Sequence, residues 1–215
     1  MSTFSKLELT RQEGKFQIEK TREAILDAAE KLFLAGGLEQ VKMIDIAAGA
    51  NITKTTLYRY FPDQPTIIFE IAVRMLKKII LASEVNPERS IVDNVKIAII
   101  NMIDQFYDLQ DAFRFMGMFD HLYGENYPNE ELASWYQQEI YKMGWGQTLA
   151  QMVEMGIDAG KIAMISNSTL SFLEKMAIRG NLIASEQGVV LDQELNFFKE
   201  MVNDYFDKIM LETNQ

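Results

Sequence analysis

Cysteine is absent from all 215 residues. That excludes a disulfide scaffold, a cysteine-ligated zinc site and a cysteine nucleophile, and it fits an intracellular protein. Histidine occurs once, at His121, so histidine-based acid–base chemistry has a single candidate. Proline occurs four times, at Pro62, Pro65, Pro87 and Pro128, which leaves long intervals where a helix can run unbroken. No run of about eighteen uncharged apolar residues exists, so no membrane-spanning helix is expected. The stretch Met1–Lys20 is polar with scattered charges and does not read as a secretory signal. A Gly-x-Ser-x-Gly elbow, a P-loop and a dinucleotide fingerprint are all missing. The expectation is a cytoplasmic, non-enzymatic protein with no cofactor and no metal.

Positive charge is scarce too. Against 31 Asp+Glu stand 21 Lys+Arg, a net charge of −10. A chain this acidic is a poor candidate for binding nucleic acid with its whole surface. The deficit is uneven, however: residues 1–80 carry a net +2 and residues 81–215 a net −12. The first part can approach phosphate while the remainder repels it.

What the chain does contain is apolar residues, 48% of the total, spaced for helices. In Thr21–Gly36 the positions Ile25, Ala28, Ala29, Leu32 and Phe33 form one helical stripe, and Gly36-Gly37 can stop it. Short helices are expected at Met43–Ala50 and, capped by Thr53, at Lys54–Phe61. Pro62 ends the latter, and Asp63 can cap a long apolar helix over Pro65–Glu84. Ser90 can cap another to about Leu109. Further helices are expected at Ala112–Leu122 and Asn129–Gly156, then from Asn167 or Ser168 to Ala184 and from Asp192 to Leu211. No alternating strand pattern competes. The fold class is all-α.

One segment is more specific. Ile46 and the small Ala47 lie on a short helix, Asn51 stands where a tight turn needs positive φ, and Ile52, Leu57 and Phe61 can pin a second helix on the first. That is the layout of a helix-turn-helix, whose second helix offers its exposed side to the major groove. Lys54, Thr55, Thr56, Tyr58 and Arg59 would lie on or near that side, and all can donate to phosphates or base edges. Spacing alone leaves an ordinary helical hairpin equally open.

The run Asp45-Ile46-Ala47-Ala48-Gly49-Ala50-Asn51-Ile52-Thr53-Lys54-Thr55-Thr56-Leu57-Tyr58-Arg59-Tyr60-Phe61 resembles the DNA-binding signature of the TetR (tetracycline-repressor) family of transcriptional regulators. Ala24-Ile25-Leu26-Asp27-Ala28-Ala29-Glu30-Lys31-Leu32-Phe33 resembles that family's first helix, and Gly37 its turn. The likeness is clear over roughly Thr21–Ile71. It implies a homodimer with a three-helix DNA-binding head per subunit and a larger helical domain that binds a small molecule and dimerises. Ligand binding would then release a palindromic operator. The implied DNA-facing set is Lys42, Thr53, Lys54, Thr55, Thr56, Tyr58, Arg59, Tyr60 and Gln64.

Some positions depart from the family pattern. Lys42, Met43 and Ile44 stand where Thr, Val and Arg are more usual, Asn51 replaces Gly, and Gln64-Pro65 replace a Lys-Glu pair. Gln64 keeps only an amide to offer a phosphate. The expected organisation is an N-terminal arm at 1–17, a head at 18–64 and a ligand-binding and dimerisation domain at 65–215, with 65–84 as connecting helix. Lys6, Arg11, Lys15, Lys20 and Arg22 could add charge to DNA binding, although a solvated, disordered arm is the simpler expectation.

The second half is dense in aromatic and Met side chains. Phe106, Phe113, Met116, Phe119, Tyr123, Trp135, Tyr141, Trp145 and Met152 are candidates to line an apolar site between Leu76 and Ala159, with ordinary core as the plainer account. Asp104, Asp108, Asp111, Asp120, Glu125 and Glu154 could add a partner for a cationic ligand. His121 and Glu125 lie one helical turn apart and can pair, although a surface histidine is the simpler expectation. The last two helices carry apolar faces, Leu170, Leu173, Met176, Ala177 and Leu182 on one and Leu195, Phe198, Met201, Val202, Tyr205 and Ile209 on the other. A two-fold four-helix bundle would cover them. The alternative reading is a helical small-molecule-binding protein or enzyme that does not bind DNA.

Overall fold

A computed structural model describes the backbone of residues 3–81, 86–182 and 188–213. Among the described residues there are ten helices and no strand: α1 (Thr3–Gly36), α2 (Met43–Gly49), α3 (Lys54–Tyr60), α4 (Gln64–Leu81), α5 (Ile91–Asp104), α6 (Gln110–Tyr123), α7 (Glu130–Lys142), α8 (Trp145–Glu154), α9 (Ala159–Leu182) and α10 (Gly188–Thr213). The chain divides into two compact units, Met1–Ile71 and Ala72–Gln215. The boundary therefore falls inside α4, seven residues beyond the 64/65 division expected from sequence.

The caps explain the starts. Thr53 Oγ1 accepts from the Thr56 N–H at 3.1 Å, Asp63 Oδ1 from the Thr66 N–H at 2.9 Å and Ser90 Oγ from the Asp93 N–H at 3.0 Å. Each satisfies a donor that the helix itself leaves unpaired. Asn129 does the same for α7, accepting from the Leu132 N–H at 2.8 Å.

Five expectations are corrected. The helix expected to begin at Thr21 begins at Thr3. Residues 3–20 contain no proline and many residues that favour helix, so the arm expected to be disordered is helical backbone. The single helix expected over Asn129–Gly156 is two, because Gly144 takes φ 89° between α7 and α8. A helix expected to start at Asn167 or Ser168 starts at Ala159, after Gly156 at φ 76°, where Asp158 Oδ1 accepts from the Gly160 N–H at 3.0 Å. Asn167 and Ser168 lie inside this helix, and the flanking hydroxyls bond back into it: Ser166 donates to Ile162 O and Thr169 to Ile165 O, each at 2.8 Å. Asp192, expected as a cap, lies inside α10 and accepts from the Tyr107 hydroxyl at 2.5 Å. Helix α5 also stops early, at Asp104, and the following turn sets the Phe106 ring parallel to Phe113 at 6.0 Å. The expected ends at Glu84 and Ala184 lie outside the described residues.

In the first unit α2 packs on both α1 and α3, and Ile25, Phe33, Ile46, Leu57 and Phe61 are fully buried. In the second, α6 lies along α9, and α10 packs on α5 and α9. Phe113, Phe115, Phe119, Leu173, Met176, Val202 and Phe206 are buried there. Surface ion pairs follow the same contacts: Lys199 meets Asp104 at 2.5 Å and Lys96 meets Asp207 at 2.7 Å, a small stabilisation each.

This packing corrects one expectation about the dimer faces. Leu173, Met176 and Ala177 of α9 and Leu195, Val202 and Ile209 of α10 are buried within the subunit. Among the described side chains of α10, the exposed large apolar ones are Phe197 (64%) and Met201 (46%), one turn apart. The side chain of Leu182 lies outside the described residues.

Candidate functional site

The turn between α2 and α3 is built as its residue types require. Asn51 takes φ 53°, a conformation that Asn adopts more readily than other side-chain-bearing residues. The Ile52 N–H then bonds to Ala47 O at 2.9 Å, and the Asn51 N–H to Ala48 O at 3.0 Å. Ala47 is 1% exposed, small enough to let the chain after the turn close over it. Leu57, fully buried, holds α3 in place. At the start of α2, the Lys42 N–H donates to Asp45 Oδ2 at 2.9 Å, the carboxylate half of a capping box.

With Leu57 facing inward, Lys54, Thr55, Tyr58 and Arg59 are exposed on α3, and Thr56 and Tyr60 are half-buried. The Lys54 ammonium lies 5.7 Å from the centre of the Tyr58 ring, within cation–π range. Thr53 and Thr56 share a hydroxyl contact of 2.9 Å, so both serve the cap. Lys42 is exposed at the start of α2. One surface therefore offers two cations, hydroxyls and a phenol, which is the equipment for phosphate and base-edge contacts.

Gln64 is not free to face a phosphate. Its Nε2 donates to Leu38 O at 2.6 Å and Val41 O at 2.8 Å, tying α4 to the loop between α1 and α2. Arg22 is committed likewise: it pairs with Glu70 and lies 4.9 Å from the centre of the Phe61 ring. Lys15 and Lys20 are exposed on α1, while the side chains of Lys6 and Arg11 lie outside the described residues.

In the second unit the structure gathers some of the aromatic candidates and separates others. Phe106 and Phe113 stack, and Phe119 lies 5.5 Å from Tyr123. Met116 and Met152 are buried, Trp135 and Trp145 half-buried, and Tyr141 is 64% exposed and turned away. Sequence reasoning did not include Glu174, which is 5% exposed on α9, or place Tyr136, 4% exposed on α7, in the site. Desolvation, then the charge of Asp120, hold the Glu174 carboxyl up at about 8, and the exposed Lys175 offsets only part of this. A carboxylate in the run Leu170-Ser171-Phe172-Leu173-Glu174-Lys175-Met176-Ala177 was the available signal. His121 is exposed, and among the described residues no group of three or more His, Asp or Glu is placed to hold a metal.

A helix-turn-helix head followed by a larger helical unit defines a class of DNA-binding regulators. Residues 25–71 match the family model described as bacterial regulatory proteins, tetR family. Over these residues the chain carries the sequence of that family's DNA-binding part. Over 60 residues it is 40% identical to the HTH-type transcriptional repressor BepR of Brucella suis biovar 1 (strain 1330), a match covering 28% of this chain and 29% of that relative's length. A TetR family transcription regulator from Marinobacter aquaeolei VT8 superposes with a TM-score of 0.62 at 14% identity, covering 89% of this chain and 97% of the other. A TetR variant from Acinetobacter baumannii AYE, in complex with minocycline, gives a TM-score of 0.59 at 12% identity, covering 86% and 95%. These structures share the fold. Among the described residues no helix is long and apolar enough to cross a membrane.

Proposed function

We propose that the chain is a homodimeric transcriptional repressor that binds a palindromic operator through α3 and is released by a small molecule held in its second unit. The observation that carries this reading is the turn at Asn51, which buries Leu57 and leaves Lys54, Thr55, Tyr58 and Arg59 exposed together. A structural hairpin has no need of that surface. The resemblance to a named repressor over the head and the minocycline complex of a relative with the same fold support the two halves of the reading. Phe106, Phe113, Met116, Phe119 and Met152 supply buried apolar surface for the effector, and Phe197 and Met201 an exposed apolar strip for the partner subunit.

The mechanism is a shift of population. An effector that favours one spacing of the two heads over another disfavours operator binding when that spacing no longer matches successive major grooves. Selection of duplexes from a random pool by the full-length protein tests the reading. A two-fold symmetric consensus is expected. Recovery of no preferred duplex, under salt conditions where binding is detectable, would overturn it.

A further inference from the structure

Glu174 sits in the middle of α9, 5% exposed, and its Oε1 has no hydrogen-bond partner. A buried carboxylate without a partner is strongly disfavoured, so its position asks for a reason. The helices come close here. A Cβ added to Gly117 of α6 would lie 3.2 Å from Glu174 Cβ and 2.9 Å from Ile178 Cδ1, and only glycine lets α6 lie so near α9. Three residues along the same helix stands Asp120, exposed, whose charge acts on both Glu174 and Tyr136. Two carboxyl groups from facing helices thus run from the surface to the interior, and both are held above their usual range, Asp120 by desolvation.

Tyr136, on which the charges of Asp120 and Glu174 act, belongs to an aromatic cluster. Phe119 lies 5.2 Å from Tyr136 and 5.5 Å from Tyr123, and Tyr127 lies 6.0 Å from Tyr136. Two acids beside an aromatic cluster suit a cation that is itself largely apolar, because ring faces attract positive charge and the carboxylate completes the pairing. An anion would meet two acids. A neutral apolar ligand would leave the buried carboxyl without a partner.

We infer that the second unit takes an organic monocation of the quaternary ammonium or phosphonium kind, paired with Glu174 and Asp120 and set against Tyr136, Phe119, Tyr123 and Tyr127. This rests on the reading of that unit as an effector domain and names the chemical class of its effector. Glu174 binds as the carboxylate, so cation uptake near neutral pH expels its proton. The groups whose charges act here are Asp120 from α6, on both Glu174 and Tyr136, Lys175 from α9 itself, on Glu174, and Tyr127 from the loop before α7, on Tyr136.

The test is calorimetry on the full-length protein with tetramethylammonium, benzyltrimethylammonium and tetraphenylphosphonium, and with the anion tetraphenylborate as control. At least one of the cations is expected to bind, with proton release near pH 7 that buffers of different ionisation enthalpy reveal. Glu174→Gln, which keeps the shape and removes the charge, is expected to weaken binding by about tenfold or more and to abolish the proton release. Asp120→Asn is expected to weaken it less. The inference is overturned if no cation binds below about 10 mM, if the anion binds as well as its isosteric cation, or if Glu174→Gln leaves affinity unchanged. Binding of duplex to the same proteins without cation separates the outcomes. Retained duplex binding with no cation binding sinks the site and leaves the repressor reading standing, and the reverse result leaves the site standing alone.

Discussion

Gln64 donates to two main-chain carbonyls, Leu38 O at 2.6 Å and Val41 O at 2.8 Å, where a lysine could approach a phosphate. Truncation to Gln64→Ala would leave both carbonyls without this donor. The expected loss is about 1–3 kcal/mol of stability, seen as a lower denaturant midpoint, with a change in operator affinity no larger than the loss of folded protein explains. Glu174 makes a second residue-scale prediction. Its carboxyl titrates near 8 in the folded chain and in the usual carboxylate range when unfolded, so between those values the unfolded state binds fewer protons. Stability is therefore greatest below the lower value and falls as pH rises towards 8, by up to about 1.4 kcal/mol per pH unit from this one group. Comparing denaturant unfolding of the wild type and Glu174→Gln between pH 5 and pH 8 checks it. The variant should lose less stability across that range, and equal slopes would contradict the burial of Glu174 as an acid.

Among the elements, the helices that begin with a capping side chain were the most legible. Thr53, Asp63 and Ser90 announce their helices because a side chain that accepts from the N–H three residues on is a local device, and Asn51 announces the turn because few other residues take φ 53°. The longer helices of the second unit were harder to read. Gly144 and Gly156 were legible as glycines, but the φ of 89° and 76° that makes them breaks depends on neighbours distant in sequence. Asn167 or Ser168 looked like a start because short polar side chains often cap helices, and such residues inside a helix leave the same sequence signature. For Glu174 the sequence offered only a carboxylate in an apolar run, since its burial involves the close approach of Gly117 on another helix. Replacing Gly144 by Ala should cost about 1–2 kcal/mol, because an L side chain at that φ is strained. Thermal unfolding measures the loss, and a variant as stable as the wild type would mean that α7 and α8 can join as one helix.

On the scale of the whole molecule, the uneven charge acquires a purpose. The first unit carries the exposed Lys42, Lys54 and Arg59, while the chain beyond residue 80 holds a net −12 and would be repelled by DNA. The proposed reading thus places duplex binding in the head, and a symmetric site would take two heads. The double substitution Phe197→Asp with Met201→Asp puts two charges on the exposed strip of α10 without touching the buried face that holds Leu195 and Val202. It is expected to shift sedimentation from dimer towards monomer at micromolar concentration and to weaken operator binding with it. A wild type already monomeric there would contradict the dimer.

The central claim is that the exposed side of α3 binds duplex DNA, and titration of the selected duplex across a salt series tests it most directly. The account predicts that affinity falls steeply with salt, because Lys and Arg displace counterions from the phosphates. For Arg59→Ala it predicts weaker binding. If Arg59 meets a phosphate, the slope also becomes shallower by about one; if it meets a base, specificity relaxes at one position. Wild-type affinity and slope in the paired substitution Arg59→Ala with Tyr60→Ala would contradict the assignment of α3 as the helix that reads DNA.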